Sequence, residues 1–403
     1  MMTSVSTTKP SWWESITNHQ SPVTVMSPMV DQSELAFRQL CRQYNPNTLC
    51  YTPMLHAKRF VSDSTYRKNF FQTCANDRPL FAQFCGNDAD TLIQASKLIE
   101  NQVDGVDLNL GCPENIAKKG NYGSFLLSNP TLVVNIVERM VSELNIPITC
   151  KIRLMENGHH IPVERRGLSG TIHFCQELER VGCSMICVHA RNRNNKGPKT
   201  SDSDWNALKR INESVTIPVV ANGNISSFRD VIECHTKTGC AGVMSAEALL
   251  CDPTLFSTGE TNHVTASSVA LNYLNYAEQY PPSDFLKVVK PHLYRMLHGL
   301  IMMEEKEARK ISLERRLQMA RDVASCRAVV RDFLIMEESL SLNTEEREKL
   351  KLSWYNRHPR KTKKRKGGNS GVGVKKRGLT VQQVREAKKA RKRQWLMSGT
   401  RMN

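Results

Sequence analysis

The sequence predicts an α/β protein: a closed (β/α)₈ barrel of parallel strands, then an all-helical domain, then a basic, mostly disordered tail. Three observations predict it. Eight short apolar runs rich in β-branched residues follow one another between Val23 and Met244, with helix-like stretches between most of them. From about Pro281 strand-like runs stop and apolar residues recur at helical spacing. From Asn356 onward 17 Lys or Arg face one acid, Glu386, so +16 of the formal charge of +17 lies in the tail and +1 in residues 1–355.

The runs are Val23 to Met29, Leu49 to Met54, Leu80 to Phe84, Val106 to Leu110, Ile148 to Ile152, Met185 to Val188, Val219 to Ala221 and Val243 to Met244. Eight in order is the arithmetic of a TIM barrel, which needs about 250 residues. A doubly wound open sheet would need fewer strands and a Gly-rich dinucleotide loop after the first, and Ser27-Pro-Met-Val-Asp31 is not one. The expected division is a flexible N-terminus over 1–20, the barrel over 21–280, the helical domain over 281–355 and the tail over 356–403. In the helical domain Phe285, Val288, Val289, Leu293, Met296, Leu297 and Leu300 form an apolar stripe that reads as core. Lys287, Lys290, Arg295, Arg315 and Arg316 lie between those positions, as a solvated surface or a nucleic-acid face. The tail has too few apolar residues to bury a core, although Leu379 to Trp395 is helix-compatible on a polyanion. Its Pro359-Arg-Lys-Thr-Lys-Lys-Arg-Lys366 also reads as a nuclear address.

Thirteen cysteines, an odd number with no C-x-x-C pair, fit reduced packing residues better than a disulfide framework or zinc, and no metal site is expected. No apolar run reaches the roughly 18 residues of a membrane span, and Met1 to Gln20 has no signal-peptide core. The expectation is a soluble monomer without membrane contact, located in the cytoplasm or nucleus.

Cys112 carries the chemistry. It lies between Gly111, which permits a sharp turn, and Pro113, which fixes φ, just past an apolar strand. That is where a parallel barrel presents reactive groups, whereas an ordinary intracellular cysteine is a small buried hydrophobe. The run Asp107-Leu-Asn-Leu-Gly-Cys-Pro-Glu-Asn-Ile-Ala-Lys-Lys-Gly-Asn-Tyr-Gly-Ser-Phe-Leu-Leu127 resembles the active-site motif of the tRNA-dihydrouridine synthases, specifically the eukaryotic branch acting on D-loop uridines 16/17. The resemblance extends over about residues 20 to 355, with further matches at Ser27 to Glu34, Tyr51 to His56 and Gly242 to Glu247. It implies an FMN enzyme that takes its reducing equivalents from NADPH or NADH and reduces uridine in tRNA. Cys112 is then the general acid for C5 of uracil, a role that suits a thiol, whose reference pKa of about 8.5 leaves it protonated near neutrality.

By the same resemblance Pro28, Met29 and Val30 line the flavin ring, Gln83 hydrogen-bonds its polar edge, and Lys151 stabilises negative charge near N1 and O2. His189 faces flavin and substrate. Asn222, Gly223, Asn224, Ala246 and Glu247 approach the ribityl chain and phosphate, chiefly through backbone N–H groups. Asn109 and Arg153 contact the substrate, and the helical domain holds tRNA against the barrel mouth. Taken singly, Gln83 is equally a satisfied strand-end amide, Lys151 a surface lysine, His189 a core histidine and Asn222-Gly223 a plain turn; their order at successive strand ends favours the site. Ala190 departs from the family's usual glycine and is expected to place a methyl near the flavin. Ala246-Glu247 replaces the Gly-Arg of many bacterial members, and an acid there does not neutralise a phosphate. Met155 to Gly170, with His159, His160, Arg165 and Arg166, reads as a substrate-facing loop or an unrelated insertion.

Two other functions fit parts of the pattern. A flavin barrel acting on a free pyrimidine would share the cofactor residues but has no use for the basic tail. A non-catalytic RNA-binding protein on the same scaffold would not need Cys112, Lys151 and His189. Truncation near Tyr355 is expected to leave nicotinamide oxidation intact while weakening tRNA binding. The slope of log affinity against log salt should flatten by roughly 0.7 to 0.9 for each phosphate that the shorter chain no longer neutralises. Equal slopes for the full and truncated chains would leave the tail only an address.

Overall fold

The computed structural model describes residues 11–18, 20–157, 166–195, 201–257, 264–304, 310–340 and 342–357. Nearly all of the predicted tail, His159, His160 and Arg165 lie outside them.

Eight parallel strands form the barrel: β1 Val23–Met26, β2 Cys50–Tyr51, β3 Leu80–Cys85, β4 Gly105–Leu110, β5 Ile148–Leu154, β6 Met185–Asn192, β7 Val219–Asn222 and β8 Gly242–Ser245. Neighbours in sequence pair from β2 to β8, and β8 pairs back onto β1 with Val23 beside Gly242. Between β1 and β2 the ring narrows to the bridge Val25–Leu49, with Met26 N–H donating to Leu49 O at 2.9 Å. The predicted run Leu49 to Met54 is shorter than expected because Pro53 interrupts it, and a two-residue strand, Leu55–His56, resumes beside β3.

Strand alternation divides the side chains. Val106, Leu108, Ile148, Cys150, Ile186 and Val188 face outward into the layer between sheet and helices. Val25, Tyr51, Phe81, Met185, Cys187 and Met244 face inward and fill the lower barrel. Gly105 belongs to this interior: a Cβ there would meet Phe81 Cε1 at 2.8 Å.

The N-terminus corrects one expectation. Residues 11–18, expected to be flexible, include the helix Ser11–Thr17, and Trp13, 1% exposed, packs into the interior cluster as the barrel floor. Trp12 lies edge-on to Trp13, with centroids 5.8 Å apart.

After β8 the chain is helical, and the barrel and the helices form one compact unit. The predicted stripe is buried apart from half-buried Phe285, but it runs over two helices, Phe285–Met296 and His298–Glu304, with Leu297 between them. Two carboxylates join these helices to the barrel side. Glu34, which precedes the helix Leu35–Tyr44, accepts from Tyr273 Oη at 2.7 Å and from His292 Nε2 at 3.1 Å; the fully buried His292 ring stacks on Phe37 at 4.4 Å. Glu337 accepts the first N–H groups of the helix Ala266–Gln279, from Ala266 at 3.0 Å and Ser267 at 2.9 Å. The basic surface is narrower than the sequence suggests. Lys290 donates to the carbonyls of Gln318 and Ala320, and Arg295 to Gln32. Lys287, Arg315 and Arg316 are exposed.

Trp13→Ala should cost about 3–5 kcal/mol, because it empties a closed floor that cannot collapse. Urea unfolding would read this as a lower midpoint at constant slope. A change below about 1 kcal/mol would mean the helix adds nothing to the floor.

Candidate active site

Above the apolar floor, the inward positions nearer the carboxyl ends of the strands are polar: Gln83 on β3, Asp107 and Asn109 on β4, Thr149, Lys151 and Arg153 on β5, His189 on β6 and Asn222 on β7. Water reaches little of this level, so each group has to find a partner in the protein. Asp107 and Gln83 are fully buried, and Asp107 accepts from Gln83 Nε2 at 2.8 Å and Thr149 Oγ1 at 2.7 Å. Gln83 Oε1 accepts from Asn109 Nδ2 at 2.7 Å, leaving Gln83 one uncommitted N–H. Burial pushes the Asp107 carboxyl up to about 6, against the downward pull of Gln83, Thr149 and Lys151.

The Cys112 loop is held at three points. Asn109 Oδ1 accepts the N–H groups of Gly111 at 3.2 Å and Cys112 at 3.0 Å. Cys112 O accepts from Ser124 N at 3.1 Å and from Ser124 Oγ at 2.9 Å, and Arg153 Nε donates to Gly111 O at 2.8 Å. Ser124 lies in the 3₁₀ segment Gly123–Ser128, beside Phe125, whose ring lies 4.6 Å below the Arg193 guanidinium; Arg193 also pairs with Glu156 at 2.6 Å. Gly123 admits the Cys112 backbone: its φ is +65°, and a Cβ would lie 2.8 Å from Cys112 O and 3.0 Å from Cys112 Cβ.

Lys151 is 8% exposed and donates to Asn222 Oδ1 at 3.1 Å; Asn222 Nδ2 donates in turn to Met244 O at 3.0 Å. No carboxylate forms an ion pair with Lys151 among the described residues. Burial depresses its pKa, Arg153 adding to the effect and Cys187 and Asp107 opposing it. His189 is held well below its usual range, first by burial and then by Arg153, Lys151 and Arg191. Its Nε2 lies 3.0 Å from Arg191 Nη1, and arginine only donates, so the ring is neutral with its proton on Nδ1.

The other predicted positions gather at the same end of the barrel. Pro28 and Met29 are half-buried and Val30 is 55% exposed just after β1. Gly223, at φ +121°, and Asn224, at φ +64°, turn the chain after β7; Asn224 Oδ1 accepts from Arg191 Nη2 and its Nδ2 donates to Asp202 at 3.2 Å. Ala246 is half-buried and Glu247 exposed, just past β8. Ala190 is a correction. Because His189 faces inward, alternation turns Ala190 outward into the sheet–helix layer, and its methyl is not at the mouth.

Sequence reasoning assigned no role to Asp107, Thr149, Ser124 or Arg191. For Asp107 the signal was present: Gly105-Val-Asp-Leu-Asn-Leu110 alternates polar and apolar residues in a strand with helices on its outer side, so an acid has to face the interior.

Residues 25–346 match the family model described as dihydrouridine synthase. The chain is 40% identical over 283 residues, 70% of its length and 56% of the relative's, to a mouse protein named tRNA-dihydrouridine(16/17) synthase-like, a name that also carries NAD(P)(+). It is 36% identical over 291 residues to the tRNA-dihydrouridine(16/17) synthase of Schizosaccharomyces pombe, covering 70% of each chain. To the human tRNA-dihydrouridine(20a/20b) synthase-like protein it is 36% identical over 238 residues, 58% of this chain and 71% of that one. The chain spans 56% and 61% of the length of the mouse and rat relatives it matches.

Two glycines beside Cys112 should respond differently to a methyl group. Gly123→Ala is expected to cost about 1–3 kcal/mol, for its left-handed φ and its contact with Cys112. Gly111→Ala, whose Cβ would make an ordinary 3.5 Å contact with Lys151 O, should stay within about 1 kcal/mol of the parent. Matching urea midpoints for the two variants would contradict this account of the loop.

Proposed function

The chain belongs to the dihydrouridine synthase family, and on that premise we propose that it is a tRNA-dihydrouridine synthase acting at D-loop positions 16 and 17, with FMN as cofactor, NADPH or NADH as reductant and Cys112 as general acid. The longer matches to relatives named for 16/17, over 283 and 291 residues against 238 for one named for 20a/20b, together with the 40% identity to the mouse protein, support the position. The nicotinamide rests on the relatives' names.

One observation carries the reading: a buried ammonium without a carboxylate partner among the described residues, at the barrel end where a cysteine loop is pinned. Lys151 suits a group that becomes anionic, and the residues therefore fit a flavin. FMN, when bound, supplies the hydride for C6 of uracil. Lys151 holds positive charge beside the ring's N1 and O2 edge. Gln83 offers its remaining N–H, and Pro28, Met29 and Val30 form the apolar side of the ring's seat. Asn222, Gly223, Asn224, Ala246 and Glu247 meet the ribityl phosphate arm through backbone groups. Neutral His189 faces flavin and substrate without adding charge, and Asn109 and Arg153 orient the uracil. The Cys112 S–H gives its proton to C5 and recovers one from solvent, so the C5=C6 double bond gains one hydride and one proton. The target base has to leave its stack to arrive, at a cost of a few kcal/mol.

Flavin absorbance of the purified protein, followed by dihydrouridine mapping in tRNA from cells lacking it, tests the whole reading. Loss of the modification at 16 and 17 is expected, and unchanged tRNA would refute it. Cys112→Ala should retain FMN and nicotinamide oxidation while turnover on tRNA falls by about 10² to 10⁴. Normal dihydrouridine formation would remove Cys112 from the chemistry. Lys151→Ala should slow flavin reduction or weaken FMN retention, and unchanged values of both would make Lys151 merely structural.

A further inference from the structure

We propose that Asp107 is a positioning residue whose carboxylate sets the direction of a hydrogen-bond relay through Gln83 and Asn109 and so orients the Cys112 loop. This rests on the general-acid role of Cys112.

Four groups lie in series: Asp107 Oδ2 accepts from Gln83 Nε2, Gln83 Oε1 accepts from Asn109 Nδ2, and Asn109 Oδ1 accepts from Cys112 N–H. A carboxamide has nearly the same shape when its oxygen and nitrogen are exchanged, so packing does not choose between the two orientations of Gln83 or Asn109. The choice has to come from an end of the series that is not reversible. The backbone N–H of Cys112 only donates and an ionised Asp107 only accepts, and both ends demand the same direction. Reversing both amides would set oxygen against oxygen at Asp107 and N–H against N–H at Cys112.

At the loop end the Gly111 N–H also donates to Asn109 Oδ1, at 3.2 Å, and demands the same direction as Cys112; on the Asp107 side, among the described residues, no neighbour other than the carboxylate fixes it. Thr149 Oγ1 touches the other carboxylate oxygen, but a hydroxyl both donates and accepts and carries no direction of its own. The level below is apolar but for the buried Tyr51 hydroxyl, which likewise carries no direction of its own, with Phe81 and Met185 in the same interior cluster. Without the acid, the Gln83 amide loses its fixed partner on that side and is free to rotate. Asn109 keeps its oxygen toward the Gly111 and Cys112 N–H groups, but its Nδ2 then meets a Gln83 amide that presents oxygen only part of the time, so the side chain that holds the loop is itself held less firmly. The Cys112 carbonyl stays anchored on Ser124, so the effect falls on the pose of the thiol and the loop remains folded.

The test is a double-mutant cycle on FMN-loaded protein, read as single-turnover reduction of tRNA after prior reduction by nicotinamide. In the parent, Asp107→Ala is expected to lower the rate about 10- to 100-fold, the scale on which misplacing a reacting group acts. In Cys112→Ala the same change should alter the residual rate less than about twofold, because the group being positioned is absent. Asp107→Leu, which keeps the interior filled, carries the same expectation if the alanine variant does not fold. Asp107→Asn, which keeps the shape but can turn either its oxygen or its NH₂ to Gln83 while the Thr149 hydroxyl follows, should leave most of the loss in place. Equal losses from Asp107→Ala, or from the leucine variant, in both backgrounds would overturn the proposal, as would an asparagine variant as fast as the parent. A Cys112→Ala protein as fast as the parent would instead overturn the general-acid reading on which the proposal stands.

Discussion

A closed parallel barrel turns the inward residues of all its strands into one shared column, and that column depends on every level being filled. Here the lower levels are filled by bulk: Phe81, Tyr51, Met185 and Met244, with Trp13 as floor. The upper levels are filled by polar groups that satisfy one another, from Thr149 through Asp107, Gln83 and Asn109 to the Cys112 loop, and from Lys151 through Asn222 to the Met244 carbonyl. The same closure that makes the fold stable thus forces the site residues into mutual contact. Since a parallel barrel gathers the carboxyl ends of all its strands on one rim, every predicted site position except the outward Ala190 falls there.

Much of this was legible because barrel strands are buried on both faces and read as compact apolar runs. All eight runs became strands within a few residues of their expected bounds, the one at Leu49 being cut to Cys50–Tyr51 before Pro53, which withholds a donor. Strand-end residues such as Asn222 and Arg153 were excluded from the predicted strands because polar side chains look like loop. In a barrel mouth the ladder continues beneath them. Ala190 was misplaced for a related reason: adjacency to His189 in sequence means opposite faces in a strand. Trp13 was missed because a short polar segment carries no periodicity that announces a plug. His292 was beyond reach, since its meaning lies in Glu34, 258 residues earlier.

The electrostatics of the mouth follow from burial as much as from charge. Lys151, Arg153 and Arg191 surround His189, and burial joins them in keeping that ring neutral. Arg153 and Arg191 spend donors on backbone and side-chain oxygens of the neighbouring loops, Gly111 and Asn192 for the first, Ser201 and Asn224 for the second. The cations therefore brace the loops as well as setting the local potential.

The carboxylate of Glu337 accepts the opening N–H groups of the helix Ala266–Gln279 from a point about 70 residues further along the chain. That helix packs against the barrel helix Leu35–Tyr44 on one side and Val323–Ser339 on the other. The last helix against the barrel is thus begun by one part of the polypeptide and completed by another. The local cap, Thr265 accepting the Ser268 N–H at 3.0 Å, is part of the same stretch of chain, whereas the Ala266 and Ser267 N–H groups find their acceptor only in Glu337, which is synthesised after all eight strands. A chain cut after Gln279 would hold every candidate site residue and still lack the carboxylate that meets those two N–H groups, which ties the barrel and the later helices into one unit of folding.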